Sequence, residues 1–93
     1  MKVEWTSLAL RDKDDIFLYI AADNIDAAFR VDALFDEAAG RLAEFPYLGH
    51  PGDQPGTREI LPHRSYRLVY EIRGGTLFVL NLTHTARLWP PVP

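Results

Sequence analysis

One long amphipathic pattern in the first half of the chain constrains the fold most. From about Ile25 to about Glu44 the spacing predicts an α-helix with one apolar face, capped by Asp23-Asn24 and ended before Pro46. A chain of 93 residues builds only one modest core, so this face needs a partner layer from the same chain. The apolar residues, at steps of three and four, are Ala27, Ala28, Val31, Leu34, Phe35, Ala38 and Leu42.

The residues before this helix predict a short strand and a second helix. Lys2 to Trp5 alternates polar and apolar side chains, which is typical of a strand. Thr6 or Ser7 can cap the helix that follows. Because the joint between the two helices is short, we expect an antiparallel hairpin. The predicted apolar face of the first helix comprises Ala9, Lys13, Ile16 and Ile20, widened by Leu8 and Tyr19.

The second half of the chain predicts a loop and three strands. The segment Pro46–Gly56 holds three prolines and three glycines in eleven residues, which indicates a loop. Gly74-Gly75 suits a tight hairpin turn between the last two strands. The proline-rich tail at about 88–93 is expected to be extended. The predicted strands are Thr57–Leu61, Tyr66–Arg73 and Thr76–His84.

These elements predict a single α+β domain over residues 1–93, in the order β-α-α-β-β-β. The last three strands can pair as a meander, and the first strand joins most simply beside the long last strand. The helix hairpin then covers one face of a small, mainly antiparallel sheet. The other face stays partly open and carries Arg67, Glu71 and His84.

The charge balance limits the partners of the chain. The net charge is −3, with ten acidic and five basic residues in 1–50 and three acidic and five basic residues in 51–93. An acidic chain is a poor general binder of nucleic acid, since that affinity comes mainly from neutralised phosphates. We therefore expect no direct sequence-specific binding of DNA by this chain.

Several other classes of protein are disfavoured by what the sequence lacks. There is no cysteine, no signal-peptide pattern at the N-terminus and no apolar run of the roughly 20 residues that span a bilayer. The expected location is the cytoplasm, with no membrane association. His50 and His63 have no other ligand at metal-binding spacing, and Ser65 has no G-x-S-x-G context. We expect neither a metal nor a cofactor.

Four segments of the sequence form a pattern that covers almost the whole chain. The opening segment is MKVEW with Ala9, Asp12 and Tyr19-Ile20, and the last is His84-Thr85-Ala86-Arg87-Leu88-Trp89-Pro90. Between them lie the loop FPYLGHPG (45–52) with the following GTRE (56–59), and SYRLVYEI (65–72). Taken together and in order, these segments resemble the ParE/RelE toxin superfamily.

The resemblance implies a bacterial toxin of a type II toxin–antitoxin module, borne on a plasmid or chromosome and neutralised by a small antitoxin encoded beside it. ParE-like members of the superfamily poison DNA gyrase, whereas RelE-like members cut messenger RNA in the ribosome. The P-x-x-G loop, the GTRE segment and the H-x-x-R-x-W-P ending look more ParE-like. This makes gyrase the expected target, with Arg87, Trp89 and Arg67 as candidate contacts.

Two alternatives remain open at this stage. A RelE-like ribonuclease would use Arg67 and Arg58 toward phosphate, with His84 as a general acid or base. A decayed toxin would only bind its antitoxin. Arg67 also has a purely structural interpretation, because it can pair with Glu59 or Glu71 on the strands.

Overall fold

The structure, a computed structural model, describes residues 1–86 and places two helices on a five-stranded mixed sheet. The sheet order is β1-β5-β4-β3-β2, and β1 runs parallel to β5 beside it, as predicted. The predicted α+β fold is therefore confirmed. The elements are β1 Lys2–Trp5, α1 Ser7–Ala21, α2 Ile25–Glu44, β2 His50–Pro51, β3 Thr57–His63, β4 Tyr66–Arg73 and β5 Thr76–His84.

Both helices begin at a polar side chain that accepts a hydrogen bond from the first turn. Thr6 caps α1, because its Oγ1 accepts from the Ala9 N–H at 3.2 Å. The Asn24 side chain caps α2 in the same way, accepting from the Ala27 N–H at 3.0 Å. Each cap satisfies one of the backbone donors that a helix N-terminus leaves without a partner. The predicted starts of both helices are confirmed.

The core lies between the two helices and the sheet. Phe35 of α2 packs edge-on against Tyr66 of β4, with ring centroids 5.7 Å apart. The buried centre of α2 lies slightly to one side of the predicted stripe, because Ala27, Val31 and Leu34 are only partly buried. The fully buried side chains of this core include Ala9, Ala38, Leu42, Leu68, Tyr70, Leu77 and Val79.

The predicted apolar face of α1 was too wide. Leu8 and Tyr19 are exposed, Tyr19 by 79%, whereas Ala9 is fully buried and Ile20 is partly buried. Leu8 and Tyr19 each precede a face residue by one position, which turns them about 100° around the helix. That angle carries their side chains beyond the zone that the sheet covers.

A charged residue of α1 joins the two helices. The Lys13 ammonium lies 2.7 Å from Asp32 and 3.4 Å from Asp36 of α2, and its side chain is only 16% exposed. Burial lowers the pKa of Lys13, but the hydrogen bonds and charges of Asp32 and Asp36 together outweigh this effect and raise the pKa above its usual value. The ion pair links the two helices of the hairpin. Lys13 is one of the residues that the sequence pattern predicted on the apolar face of α1.

The predicted loop 46–56 contains a short strand. β2, His50–Pro51, pairs antiparallel with Arg58 and Glu59 of β3. Two residues that include a proline have no detectable periodicity, so the sequence gives no strand signal there. β3 also continues past Leu61 to His63, with a register shift after Ile60 that accommodates Pro62, which has no backbone donor.

An aspartate of α1 accepts hydrogen bonds from the part of β5 that lies beyond the end of β1. β1 ends at Trp5, opposite Val79. Further along β5, the Asp12 carboxylate accepts hydrogen bonds from the Leu82 N–H at 3.0 Å and the Asn81 amide at 3.1 Å. A side chain thus satisfies the backbone N–H of Leu82 at this edge of β5.

Neither helix of the described residues is long and apolar enough to cross a membrane.

Candidate functional site

The open face of the sheet, opposite the helices, carries a row of charged side chains. Alternate residues of β4 point to this face, and Arg67 and Arg73 are its basic members. Arg73 pairs with Glu71 at 2.9 Å and its guanidinium lies 4.9 Å from the centre of the Phe78 ring. On β1, in the same cross-strand rows, Lys2 pairs with Glu4 at 2.8 Å.

Arg67 and Glu59 form the most buried ion pair of this face. The Arg67 Nε lies 3.3 Å from Glu59 Oε1, and the two side chains are 21% and 10% exposed. Glu59 Oε2 is buried and has no hydrogen-bond partner among the described residues. The backbone at Gly52 packs against this carboxylate, since a Cβ there would lie 3.1 Å from Oε2. The pair therefore resides in a low-dielectric environment, where each charge depends on the other.

Arg58 is held on the opposite side of the sheet from Arg67. It lies opposite Tyr70 in the β3–β4 register, donates from Nη1 to the Gly49 carbonyl at 2.7 Å, and stacks 5.0 Å from the centre of the Tyr47 ring. These contacts anchor the loop between α2 and β2. The guanidinium of Arg58 is thus engaged in contacts within its own chain.

Tyr70 completes the anchor of the same loop. Its hydroxyl donates to the Pro46 carbonyl at 2.8 Å and accepts from the Gly49 N–H at 2.9 Å. Only glycine fits at position 49, because a Cβ would lie 2.7 Å from the Glu59 carbonyl oxygen and 2.8 Å from the Tyr70 hydroxyl. Burial raises the pKa of Tyr70, against smaller opposing effects of the Gly49 N–H and the Arg58 charge.

His84 lies at the mouth of a separate cleft between α1 and the ends of β3 to β5. Its ring is 5.6 Å from that of Tyr66, and the His63 ring is 5.8 Å from Tyr66 on the other side. In each histidine Nδ1 accepts a backbone N–H, from Ala86 at 3.1 Å and from Ser65 at 3.0 Å. This leaves Nε2 as the protonated nitrogen of each neutral ring. The cleft has a volume of about 610 Å³.

Two aspartates and a second histidine share this cleft with His84. Asp12, Asp15 and Thr83 line it together with His63. Sequence reasoning placed His63 in a loop and missed this neighbourhood, which arises from the pairing of His63 with Tyr66 across the β3–β4 turn. Within residues 1–86, no group of three or more His, Cys, Asp or Glu side chains is arranged to hold a metal ion.

The three residues of the ribonuclease hypothesis are not brought together by the described structure. Arg67 is on the open face, whereas Arg58 and His84 belong to the other side of the sheet. Arg58 lies opposite Tyr70 and His84 opposite Tyr66, so along the strand direction they are separated by four residues of β4, or roughly 13 Å, and they lie on the two strands that flank β4. Arg87 and Trp89, the further target-contact candidates, and the tail at about 88–93 lie outside the described residues.

Comparison with known proteins identifies the family. The family model described as the ParE toxin of the type II toxin–antitoxin system parDE matches residues 3–89. Y4kP of Sinorhizobium fredii, a protein named as a candidate toxin, is 39% identical over 92 residues, which are 98% of this chain and 95% of that protein.

Solved structures agree with the fold. A chain from the chromosomal ParDE toxin–antitoxin system of P. aeruginosa is similar, with a TM-score of 0.78 and 22% identity over 90% of this chain and 95% of that chain. The YoeB/ParE toxin from Agrobacterium tumefaciens is similar with a TM-score of 0.66 and 18% identity over 90% and 98% of the two chains. From the family match and the 39% identity, the chain belongs to the ParE toxin family of type II toxin–antitoxin systems.

Proposed function

We propose that this toxin acts by binding and inhibiting DNA gyrase, without cutting RNA, and that a cognate antitoxin holds it inactive. The family implies an antitoxin partner. The choice of gyrase rests on the ParE-like segments of the sequence, and we expect the action to take place in the bacterial cytoplasm.

The observation that carries this proposal is the engagement of both candidate phosphate-binding arginines within the chain. Arg67 is paired with the buried Glu59, and Arg58 donates to Gly49 and stacks on Tyr47. Cleavage of a phosphodiester needs groups that converge on one phosphate, with a base, an acid and a stabiliser of the developing charge. His84 lies in a different cleft from both arginines. Such an arrangement favours a binding mechanism over a catalytic one.

The balance of charge on the open face supports the same choice. Its strand cations Lys2, Arg67 and Arg73 each have a carboxylate within 3.3 Å. Affinity for RNA depends on cations that are free to neutralise phosphates and release counterions. A face of matched charges instead favours a protein partner, with which it forms specific polar contacts.

The test is supercoiling by purified DNA gyrase with the purified toxin, in parallel with expression of the toxin in bacteria that lack the antitoxin. We expect loss of supercoiling, accumulation of cleaved DNA and a DNA-damage response, with translated messages intact. Arg87→Ala and Trp89→Ala should weaken the inhibition, while Arg64→Ala serves as a control at an exposed turn residue. Normal supercoiling at saturating toxin, together with cleaved messages, would replace gyrase by the ribosome as the target. Growth without arrest would indicate a chain that only binds its antitoxin.

A further inference from the structure

The last described residues of the chain are fastened at the mouth of the cleft between α1 and the ends of β3 to β5. The Thr85 N–H donates to the Ser65 carbonyl at 2.9 Å, and the Ala86 N–H donates to His84 Nδ1 at 3.1 Å. Ser65 and His84 both line the cleft. These hydrogen bonds therefore fix, at the cleft, the point from which the segment 87–93 continues.

The cleft presents apolar surface that the described residues leave partly uncovered. Tyr19 is 79% exposed, and Ile16, Ile20 and Val31 are only partly buried, although these three pack against the core. The largely buried Tyr66 also lines the cleft. Its volume of about 610 Å³ falls in the range that receives drug-sized molecules, so one large aromatic side chain fits.

The sequence of the segment 87–93 supplies such a side chain. Its one aromatic residue is Trp89, which comes directly before Pro90-Pro91. Because an extended residue advances at most about 3.6 Å, Trp89 stays within about 11 Å of Ala86, so the cleft is in its reach. Proline fixes its own backbone and restricts the residue before it, which lowers the conformational entropy that docking of Trp89 has to overcome.

The charges of the cleft match those of the segment. Asp15 lines the cleft and forms no ion pair with any of the described residues. Arg87, two residues before Trp89, carries the only charged side chain of the segment 87–93. Opposite charges attract more strongly beside an apolar wall than in bulk water. A tryptophan in the cleft and an arginine at its acidic rim are therefore complementary to it in both shape and charge.

We propose that this cleft is the docking site of the chain's own segment 87–93, with the Trp89 indole against the apolar lining and Arg87 paired with Asp15. The docked segment withholds Arg87 and Trp89 from other partners until it is displaced. Docking itself goes beyond the proposed function, because it does not depend on the identity of the target. The consequence for the target rests on the proposed function, since these two residues are its candidate gyrase contacts.

The chain contains no cysteine, so an engineered pair of cysteines reports the docking in the full-length protein. The cleft pair is Tyr19→Cys with Leu88→Cys, and the control pair is Leu18→Cys with Leu88→Cys. Leu18 is 67% exposed, does not line the cleft, and is turned about 100° around α1 from Tyr19. Equilibration with a glutathione redox buffer gives the effective concentration of the two thiols in each pair.

We expect the cleft pair to exceed the control pair at least about tenfold in effective concentration, since a flexible linker gives only millimolar values. Asp15→Lys should lower the value of the cleft pair about two- to fivefold. Asp14→Lys is its matched control, because it makes the same charge change at an exposed neighbouring residue outside the cleft, and it should leave the value unchanged. Trp89→Ala should lower it at least about tenfold.

Equal effective concentrations in the two pairs would overturn the proposal. So would a disulfide of the cleft pair that forms between two molecules, since the segment would then occupy the cleft of a second copy. The unmodified chain provides an independent measurement: the difference in fluorescence between the parent and Trp89→Phe isolates the Trp89 emission. We expect this emission to be shielded from acrylamide, and quenching equal to that of free tryptophan would contradict docking.

The supercoiling assay tests the consequence for the target. The cleft pair in its oxidised form should inhibit gyrase at least about tenfold less than the same protein after reduction, since the disulfide keeps the segment docked. Equal inhibition by the two forms would show that docking does not withhold the contacts. Absence of inhibition by both forms would count against gyrase as the target, while the effective concentrations, measured without gyrase, would still decide whether the segment docks.

Discussion

Arg67 and Glu59 form an ion pair across two antiparallel strands, with Nε 3.3 Å from Oε1, on the face of the sheet opposite the helices. The two residues are diagonal neighbours, since Glu59 lies opposite Val69. Although the face is open, Glu59 is only 8% exposed and one of its carboxylate oxygens has no partner among the described residues. The pair thus differs from an ordinary surface salt bridge, and its energetics are testable.

Loss of the Glu59 carboxylate should cost far more than loss of the less buried Glu71 carboxylate on the same face. Glu59→Ala leaves the Arg67 guanidinium largely buried without a counter-ion. We expect the free energy of unfolding to fall by about 2–4 kcal/mol, below the full cost of a buried pair because Arg67 keeps some solvent contact. Glu71→Ala, which removes the partner of the exposed Arg73, should cost about 0–1 kcal/mol. Urea unfolding of both variants measures the difference, and equal losses would contradict this account of Glu59.

The Tyr70 hydroxyl should stabilise the loop that precedes β2. Tyr70→Phe removes both the donor to the Pro46 carbonyl and the acceptor for the Gly49 N–H. With two backbone groups left unsatisfied near the core, the variant should lose about 1–3 kcal/mol in urea unfolding. Tyr47→Phe is the matched control at a ring that is 66% exposed, and it should change stability by less than about 0.5 kcal/mol. A loss in Tyr70→Phe no larger than in the control would contradict the proposed anchor.

The same tyrosine should make stability depend on alkaline pH. The pKa of Tyr70 is raised in the folded state, so the fold favours the neutral phenol. Its contribution is therefore fully present below the unfolded pKa of about 10 and is lost as the pH rises through the folded value. The stability advantage of the parent over Tyr70→Phe should narrow between pH 9 and pH 11. Urea unfolding at intervals across this range gives the comparison, and an advantage that widens would show that the sign is wrong.

The elements that were predictable from sequence are those with strong periodicity. The predicted bounds of α2, about Ile25 to about Glu44, and of β4, Tyr66 to Arg73, agree with the structure, because a helical stripe runs through α2 and apolar residues recur at every second position of β4. The short β2 and the continuation of β3 to His63 were missed, since proline interrupts both and pairing there depends on neighbours distant in sequence. Local pattern carries no information on such pairing.

The candidate site was predictable only in its individual residues. The pairing of Arg67 with Glu59 was one of two alternatives, and the register of β3 against β4 decides between them. The same register turns Arg58 to the opposite face, beside Tyr70. A register is a property of the assembled sheet, and a shift of one residue exchanges the faces of every side chain. The roles of Arg67, Arg58 and His84 toward a target stay predictions.

A single change at Arg67 would give an ambiguous result in any toxicity assay. Arg67→Ala leaves Glu59 charged and buried, so toxicity could be lost through unfolding alone. A replacement of both charges by apolar residues of similar volume avoids this difficulty. Buried ion pairs replaced in this way often retain or even gain stability.

We expect the double variant Arg67→Met/Glu59→Met to unfold within about 1 kcal/mol of the parent, whereas Arg67→Met alone loses about 2–4 kcal/mol. If Arg67 serves only to pair with Glu59, the double variant should inhibit gyrase as the parent does, because the sheet that presents the target contacts is restored. Urea unfolding and the supercoiling assay, run on the parent and both variants, measure the two effects separately. A double variant that is as stable as the parent but leaves supercoiling intact would show that the guanidinium of Arg67 itself contacts the target.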